Sequence, residues 1–230
     1  TSKGGHLVEV FENCQAKILP LDQVWDVINT GNTNNLPDCS TLSPERIAYI
    51  VFTSGANSEP QGARLTHVGV ANLVAWCKGL AGITVKDHIS QMLSSSSDAS
   101  LLEMWSSLGN GAMLHIFPDR ADEEKIFTPK GLMEEREISV SFLPSRLLAL
   151  LIQEDEHCKQ FCTTTTTISK LRVVLTGGEV LPCLPPKDAC YKLINLYGPK
   201  ECTVAVTASE VKATDRFPLF NVGQPLPNTL

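Results

Sequence analysis

Three short segments combine glycine with hydroxyl, carboxylate or aromatic groups in a way that suits a charged ligand. The first is Thr53-Ser54-Gly55-Ala56-Asn57-Ser58-Glu59-Pro60-Gln61-Gly62, directly after an apolar run. At the C-terminal end of a parallel strand, such a loop offers backbone N–H groups and hydroxyls to a phosphate. The same residues also make an ordinary turn. It is not a Walker loop, because six residues separate Gly55 from Gly62 and no Lys follows. Gly177-Gly178-Glu179 after LRVVLT, and Tyr197-Gly198-Pro199-Lys200-Glu201 after YKLINL, repeat the pattern of glycine after a strand. In open α/β sheets ligands bind at the carboxyl ends of strands, so the three loops are expected to share one crevice. Glu201, behind a rigid Gly-Pro turn, suits a magnesium ion or else a solvated pair with Lys200. Asp98, in a serine cluster before an apolar helix, is by default an N-cap. Its functional alternative is a carboxylate facing a cationic ligand group, and the two roles are compatible. Gly109-x-Gly111 fails as a dinucleotide fingerprint, since Leu114 takes the place of the third glycine.

The elements that must position these groups are legible in part. HLVEVFENCQAKIL (6–19) reads as a helix or helix end followed by a short strand, and 29–46 as a polar, turn-rich linker. Ile47 to Phe52 is a continuous apolar run that suits a buried strand. From Thr66 to Leu80 apolar residues recur at helical spacing, with Thr66 as cap. A short apolar stretch follows at His88 to Leu93, and DASLLEMWSSL, with Leu101, Leu102, Met104, Trp105 and Leu108, predicts a helix ended by Gly109 and Gly111. Beyond it come a strand at 112–117, a charged, solvated region with a helix at 119–137, and a strand at 138–143. A helix at 145–153, strands at 171–176 and 191–196, and an apolar TVAVT at 203–207 complete the series. Strands alternating with helices predict an α/β architecture with layered, largely parallel sheets flanked by helices. The five threonines Thr163 to Thr167 read as a surface loop.

Composition narrows the classes. Of 230 residues 43% are hydrophobic and 19% charged, which is a globular balance, and 15 Gly and 14 Pro follow no fibrous period. With 19 Lys and Arg against 25 Asp and Glu the net charge is −6, and no four basic residues cluster, so nucleic acid is excluded as the main partner. The eight cysteines are unevenly spaced and most read as small buried hydrophobes. His157, Cys158 and Cys162 form the one cluster, without the second pair that a structural zinc site needs. No apolar run reaches secretory or membrane-spanning length and no N-x-Ser/Thr sequon occurs, so the expectation is a cytoplasmic protein without membrane contact.

Taken in order, these segments resemble the adenylation domains of nonribosomal peptide synthetases, within the wider group of adenylate-forming ligases. IAYIVFTSGANSEPQGA is similar to the family's phosphate-loop motif, and DASLLEMWSSLGNGAML to its substrate-pocket helix. LRVVLTGGEVL is similar to the strand and turn beside the nucleotide, NLYGPKECTVAVT to the adenine and magnesium motif, and FPLFNVGQPLPNT to the segment that follows. The resemblance runs from about residue 6 to the end. It implies that 1–230 is an incomplete large subdomain, without the C-terminal lid that carries the catalytic lysine. No Lys here is assigned that role, so the chain alone is expected to turn over weakly or not at all.

The reaction implied is attack of an amino acid carboxylate on the α-phosphorus of ATP, with Mg2+, followed by transfer of the acyl group to a phosphopantetheine thiol. The phosphopantetheine belongs to a carrier domain, and carrier and condensation domains of a synthetase are the implied partners. By motif position, Thr53, Ser54 and Gly55 contact phosphate, Gly178 and Glu179 lie along the nucleotide, and Asn195 reads the adenine edge. Tyr197 stacks on the base, Gly198 and Lys200 lie in the same motif, and Glu201 holds magnesium. Asp98 falls where amino-acid-activating members pair a carboxylate with the substrate's α-ammonium. Ala99, Leu102, Phe142, Val174, Thr176, Leu196, Val204 and Ala205 are the other pocket positions. Nearly all are apolar, which predicts a neutral, aliphatic or small substrate side chain. The departures are Ala56, Asn57 and Ser58 in the hydroxyl- and glycine-rich part of the phosphate loop, Gln61 in place of its Lys, and Lys200 in place of Thr before Glu201. Two other readings follow: a catalytically inactive relative kept as a binding module, and a ligase joining a fatty or aryl acid to coenzyme A.

Overall fold

The computed structural model describes residues 21–31, 42–54, 59–95, 97–117, 129–161, 170–216 and 221–229. Contacts divide the chain into Thr1–Leu42 and Ser43–Leu230. Within the first unit, α1 (Leu21–Asn29) is a helix that the sequence spacing did not assign. The segment 6–19, most of the linker, Gly55, Ala56, Asn57, Ser58, His157, Cys158, Cys162 and the threonine run lie outside the described residues or side chains.

In the second unit the chain first forms an antiparallel hairpin. β1 (Ile47–Ser54) pairs with β2 (Pro60–Thr66), from Ser54 opposite Pro60 back to Ile47 opposite Thr66. This corrects the expectation of a buried parallel strand. Ile50 is 57% exposed and Phe52 65% exposed, because β1 has only β2 beside it among the described residues. β2 runs straight into α2 (His67–Ala81), whose first turn is capped by Thr66 Oγ1 accepting the Gly69 N–H at 3.4 Å. Gly82, at φ +57°, ends it in the left-handed conformation that glycine adopts without strain.

The remaining strands build one seven-stranded sheet in the order β4-β3-β5-β6-β7-β8-β9. β3 (His88–Gln91), β4 (Met113–Ile116), β5 (Val140–Phe142), β6 (Val173–Gly177) and β7 (Lys192–Tyr197) run parallel to one another. β8 (Thr207–Val211) and β9 (Gln224–Pro225) close the edge antiparallel. The apolar 203–207 stretch therefore contributes only its last residue to a strand. Between strands lie α3 (Ser100–Leu108), α4 (Pro129–Glu135) and α5 (Ser145–Phe161), the last eight residues longer than its apolar spacing predicted.

Alternation along the strands sorts the interior into two layers. Ile89, Val140, Phe142, Val173, Leu175, Ile194 and Leu196 meet Leu73, Cys77 and Ala81 of α2 and Leu102 of α3. On the opposite face Val174, Leu193 and Val211 meet Met133 of α4 and Leu148, Leu151 and Ile152 of α5. Both faces of the parallel sheet are covered, as the continuous apolar runs require. Arg172, at the entry to β6, cross-ties the first layer. It donates from Nε (3.2 Å) and Nη2 (2.8 Å) to Asp87 Oδ1, and from Nη1 to the Ala81 carbonyl at the end of α2. Asp87 also accepts from Ser139 Oγ at 2.7 Å and from the Thr84 N–H at 2.8 Å. Among the described cysteines only Cys77 is buried; Cys183 is half-buried and Cys190 and Cys202 are exposed, which corrects the general expectation of burial.

Candidate functional site: the carboxyl ends of the strands

The three glycine loops leave β1, β6 and β7, and the serine loop leaves β3. The helix α3 begins differently from its prediction. Its N-cap position is Ala99, in helical conformation and without a side-chain bond, so Asp98 is not the cap. Asp98 lies in the preceding turn, half-buried, its carbonyl accepting the Leu101 N–H at 3.0 Å. Ser100 Oγ closes the same turn on the Ser97 carbonyl at 2.6 Å. Asp98 thus precedes α3 without capping the helix.

Six of the eight other pocket positions gather around one apolar cluster. Leu102, Phe142, Leu196 and Ala205 belong to it, and Ala99 and Val204 pack against it. Beside them Leu73, Ala205 and Leu226 form the inner wall of a cleft of about 260 Å3, bordered also by Gly69, Asn72, Cys202 and Thr203. Val174 and Thr176 do not join this group: strand alternation turns them to the opposite face, where Val174 packs in the second layer. Thr176 pairs in register with Asn195 on β7, and Thr176 Oγ1 and Asn195 Oδ1 are both buried without a hydrogen-bond partner. Two adjacent orphan oxygens are unusual in a sheet interior, since each forgoes a bond that water would supply.

The loops after β6 and β7 are built for close approach. Gly178 has φ +88° and open space where a Cβ would stand, so a flat or charged ligand can lie against its backbone. At Gly177 a Cβ would fall 2.5 Å from the Leu196 carbonyl, and at Gly198 one would fall 2.7 Å from Ala205 Cα. Gly198 therefore lets the chain fold back: Pro199 leads into a 3-10 turn at Lys200–Cys202, and the Val206 N–H donates to the Tyr197 carbonyl at 2.9 Å. The return passes through Thr203 (φ 58°) and Val204 (φ 71°), consecutive β-branched residues in a conformation that is sterically unfavourable for them. Glu179, Tyr197, Lys200 and Glu201 are exposed around this loop.

These residues fit an adenine nucleotide and its metal. Asn195 Oδ1 is an unused acceptor of the kind an exocyclic amine satisfies, Tyr197 offers an open ring face, and Gly178 a bare backbone. The Glu201 carboxylate is the oxygen donor that suits magnesium. Thr53 and Ser54 end β1, and Trp105 Nε1–H of α3 donates to Tyr49 Oη at 2.6 Å, holding that hairpin to α3.

One buried group has no role that its sequence position announces. Glu103, within DASLLEMWSSL, is 1% exposed. Its Oε1 accepts the Met92 N–H at 2.9 Å and its Oε2 the Leu93 N–H at 3.2 Å. Burial pushes its carboxyl up to about 8, although both N–H bonds pull the other way. The available signal is a carboxylate on the inward stripe of α3 shared with Ser100 and Ser107. By contrast burial drives the Cys77 thiol up to about 12, which removes it as a nucleophile.

A mostly parallel sheet covered on both faces, with glycine loops at the carboxyl ends of its strands, defines the α/β class. Similarity to known proteins narrows the class. The sequence profile of the AMP-binding enzyme family matches residues 7–230, and the chain belongs to that family. One of the linear gramicidin synthase proteins of Brevibacillus parabrevis is 30% identical over 97% of this chain, which spans 3% of that protein. Surfactin synthase subunit 2 of Bacillus subtilis (strain 168) is 30% identical over 92% of it, spanning 5%. Among solved structures, the Klebsiella oxytoca NpsA N-terminal subdomain in complex with 3-hydroxybenzoyl-AMSN shares the fold with TM-score 0.66 at 22% identity, over 88% of this chain and 49% of its own. The Vibrio cholerae adenylation domain AlmE, in complex with glycyl-adenosine-5'-phosphate, shares it with TM-score 0.65 at 23% identity, over 80% and 34%. Among the described residues no helix is long and apolar enough to cross a membrane.

Proposed function

We propose that this chain forms the nucleotide and substrate floor of an amino-acid-adenylating ligase, using ATP and Mg2+ to make an aminoacyl-adenylate. The observation that carries the reading is that Asp98, in the turn just before α3, is not spent on capping that helix, whose Leu102 joins Phe142, Leu196 and Ala205 in one apolar cluster. A carboxylate there pairs with an α-ammonium while the cluster takes a neutral side chain, so the substrate is an amino acid with an aliphatic or small apolar side chain. Asn195 and Tyr197 serve the adenine, Thr53, Ser54, Gly55, Gly178 and Glu179 the ribose-phosphate side, and Glu201 the metal. Nucleotidyl transfer needs alignment and charge neutralisation more than covalent help, and these groups supply alignment. The product acyl group passes to phosphopantetheine on a carrier domain, beside a condensation domain, as the multidomain size of the relatives supports. A cytoplasmic setting agrees with both substrates.

The test is calorimetric titration with ATP and Mg2+, then amino-acid-dependent exchange of pyrophosphate into ATP with L-alanine, L-valine, L-leucine and L-isoleucine. Binding of ATP and of one of these amino acids is expected, with exchange weak at most, and Asp98→Ala is expected to abolish binding of that amino acid. Undiminished binding by Asp98→Ala would turn the assignment towards a fatty or aryl acid ligase. A second reading, an inactive binding module, is favoured by Gln61, Ala56 and Asn57 in the phosphate loop. A folded chain that binds no nucleotide would select it.

A further inference from the structure

We infer that Glu103 is the positioning residue for Asp98, a buried clamp on the near end of the loop that carries it. The inference rests on the reading of Asp98 as the partner of the substrate's α-ammonium. β3 ends at Gln91, α3 begins at Ser100, and the loop between them carries Asp98 near its far end. Such a loop is free to move unless both ends are tied. Glu103 ties the near end, one oxygen to each of the first two amides after the strand, at 2.9 and 3.2 Å. Ser100 ties the far end through the Ser97 carbonyl at 2.6 Å. Between the two ties the chain turns on itself, with the Ser97 N–H on the Ser94 carbonyl at 2.8 Å and the Leu101 N–H on the Asp98 carbonyl at 3.0 Å.

The chemistry favours a positioning role over a packing one. Glu103 lies 1% exposed in a helix whose inward side otherwise shows Ser100, Leu101, Leu102, Ser106 and Ser107. A leucine there would fill the space without desolvating a carboxylate. What a leucine cannot do is accept two backbone N–H groups, and the two amides leaving β3 have that one side chain as acceptor. An ammonium–carboxylate contact weakens steeply when the acceptor drifts by an ångström, so fixing the loop fixes the strength and direction of the Asp98 contact.

Residue-resolved amide hydrogen exchange on the full chain tests the clamp without any ligand. Glu103→Gln offers one acceptor where two are needed, and is expected to speed exchange at Ser97, Ser100 and Leu101 by about tenfold or more, while β6 and β7 amides keep their protection. Unchanged protection at those three amides would overturn the inference. Should Glu103→Gln not fold, the Met92 and Leu93 amides of the unaltered chain decide: strand-like protection supports the clamp, and free-chain exchange overturns it. The functional arm uses whichever of L-alanine, L-valine, L-leucine or L-isoleucine binds tightest, its counterpart lacking the amino group, and ATP. Glu103→Gln is expected to weaken the amino acid about tenfold, to leave the other two unchanged, and to add no further loss in an Asp98→Ala background. Equal weakening of the acid lacking an amino group would overturn it, as a merely structural role predicts. If Asp98→Ala alone leaves amino acid binding intact, the Asp98 reading falls, and the exchange result still judges the clamp separately.

Discussion

At the residue scale, the site depends on two groups whose surroundings leave no freedom. A methyl group at Gly198 would meet Ala205 Cα at 2.7 Å and the Val206 nitrogen at 2.8 Å, both backbone atoms that cannot rotate away. Gly198→Ala is therefore expected to lower stability by about 2 kcal/mol or more, and to weaken ATP binding by pushing out the Glu201 turn. Urea unfolding and nucleotide titration check the two effects. Glu103 supplies a pH signature. Its folded carboxyl is raised from 4.5 to about 8, so between those values the folded chain holds a proton that the unfolded chain has lost. Stability then falls as pH rises through that window, by about 1.4 kcal/mol per pH unit at most. Urea midpoints measured from pH 5 to 8.5 are expected to decline, and Glu103→Gln to flatten the decline. Thr203 and Val204 show the other side of such constraint: strain at consecutive β-branched residues is tolerated where the loop must return under Gly198.

At the scale of elements, ties at the ends of helices and strands set the geometry. Arg172 joins the end of α2 to the start of β3 through Asp87. Burial raises the Asp87 carboxyl, but the bonds from Arg172, Ser139 and Thr84 outweigh it and hold the group below its ordinary 3.8. Its contribution is therefore present above pH 3.8 and lost as pH falls through the lower folded value. Arg172→Met is expected to cost about 1–3 kcal/mol at pH 7, with the difference from the unaltered chain shrinking below about pH 4. Thermal unfolding at the two pH values checks it. At the start of α2, Thr66→Ala removes the acceptor for Gly69 and is expected to cost about 1 kcal/mol, read from the shift of the urea midpoint. The hairpin is held by its own ladder and by the Tyr49–Trp105 bond, and presents Ile50 and Phe52 outward.

At the scale of the whole molecule, the covered sheet carries its glycine loops and orphan oxygens toward the carboxyl ends of its strands. If nucleotide binds there, binding stabilises the folded state by mass action, by about 2.7 kcal/mol at a hundredfold excess over Kd. A rise in melting temperature with ATP and Mg2+ is expected, smaller for Asn195→Ala, whose orphan acceptor is gone. The chain spans only a few percent of the length of the synthases it resembles.

Much of this was fixed by local chemistry. The continuous apolar runs that became β5, β6 and β7, the helical spacing of α2, the Thr66 cap and the glycines after β6 and β7 are legible because period, capping and backbone freedom act over a few residues. The order of the motifs was enough to point to the AMP-binding enzymes. What the chain alone could not settle were contacts between segments far apart. Ile47 to Phe52 reads as a core strand, yet exposure is a property of what lies against it, and among the described residues only β2 pairs with it. Asp98 reads as an N-cap, yet Ala99 takes the cap position and the first helix amides bond the backbone carbonyls of Ser97 and Asp98. Val174 and Thr176 share a motif with their neighbours, but a side chain alternates faces at every residue, so only the strand register decides which layer it enters. Glu103 gives no local sign of its partners, because the two amides it holds lie ten and eleven positions back along the chain and meet it only once the loop has closed.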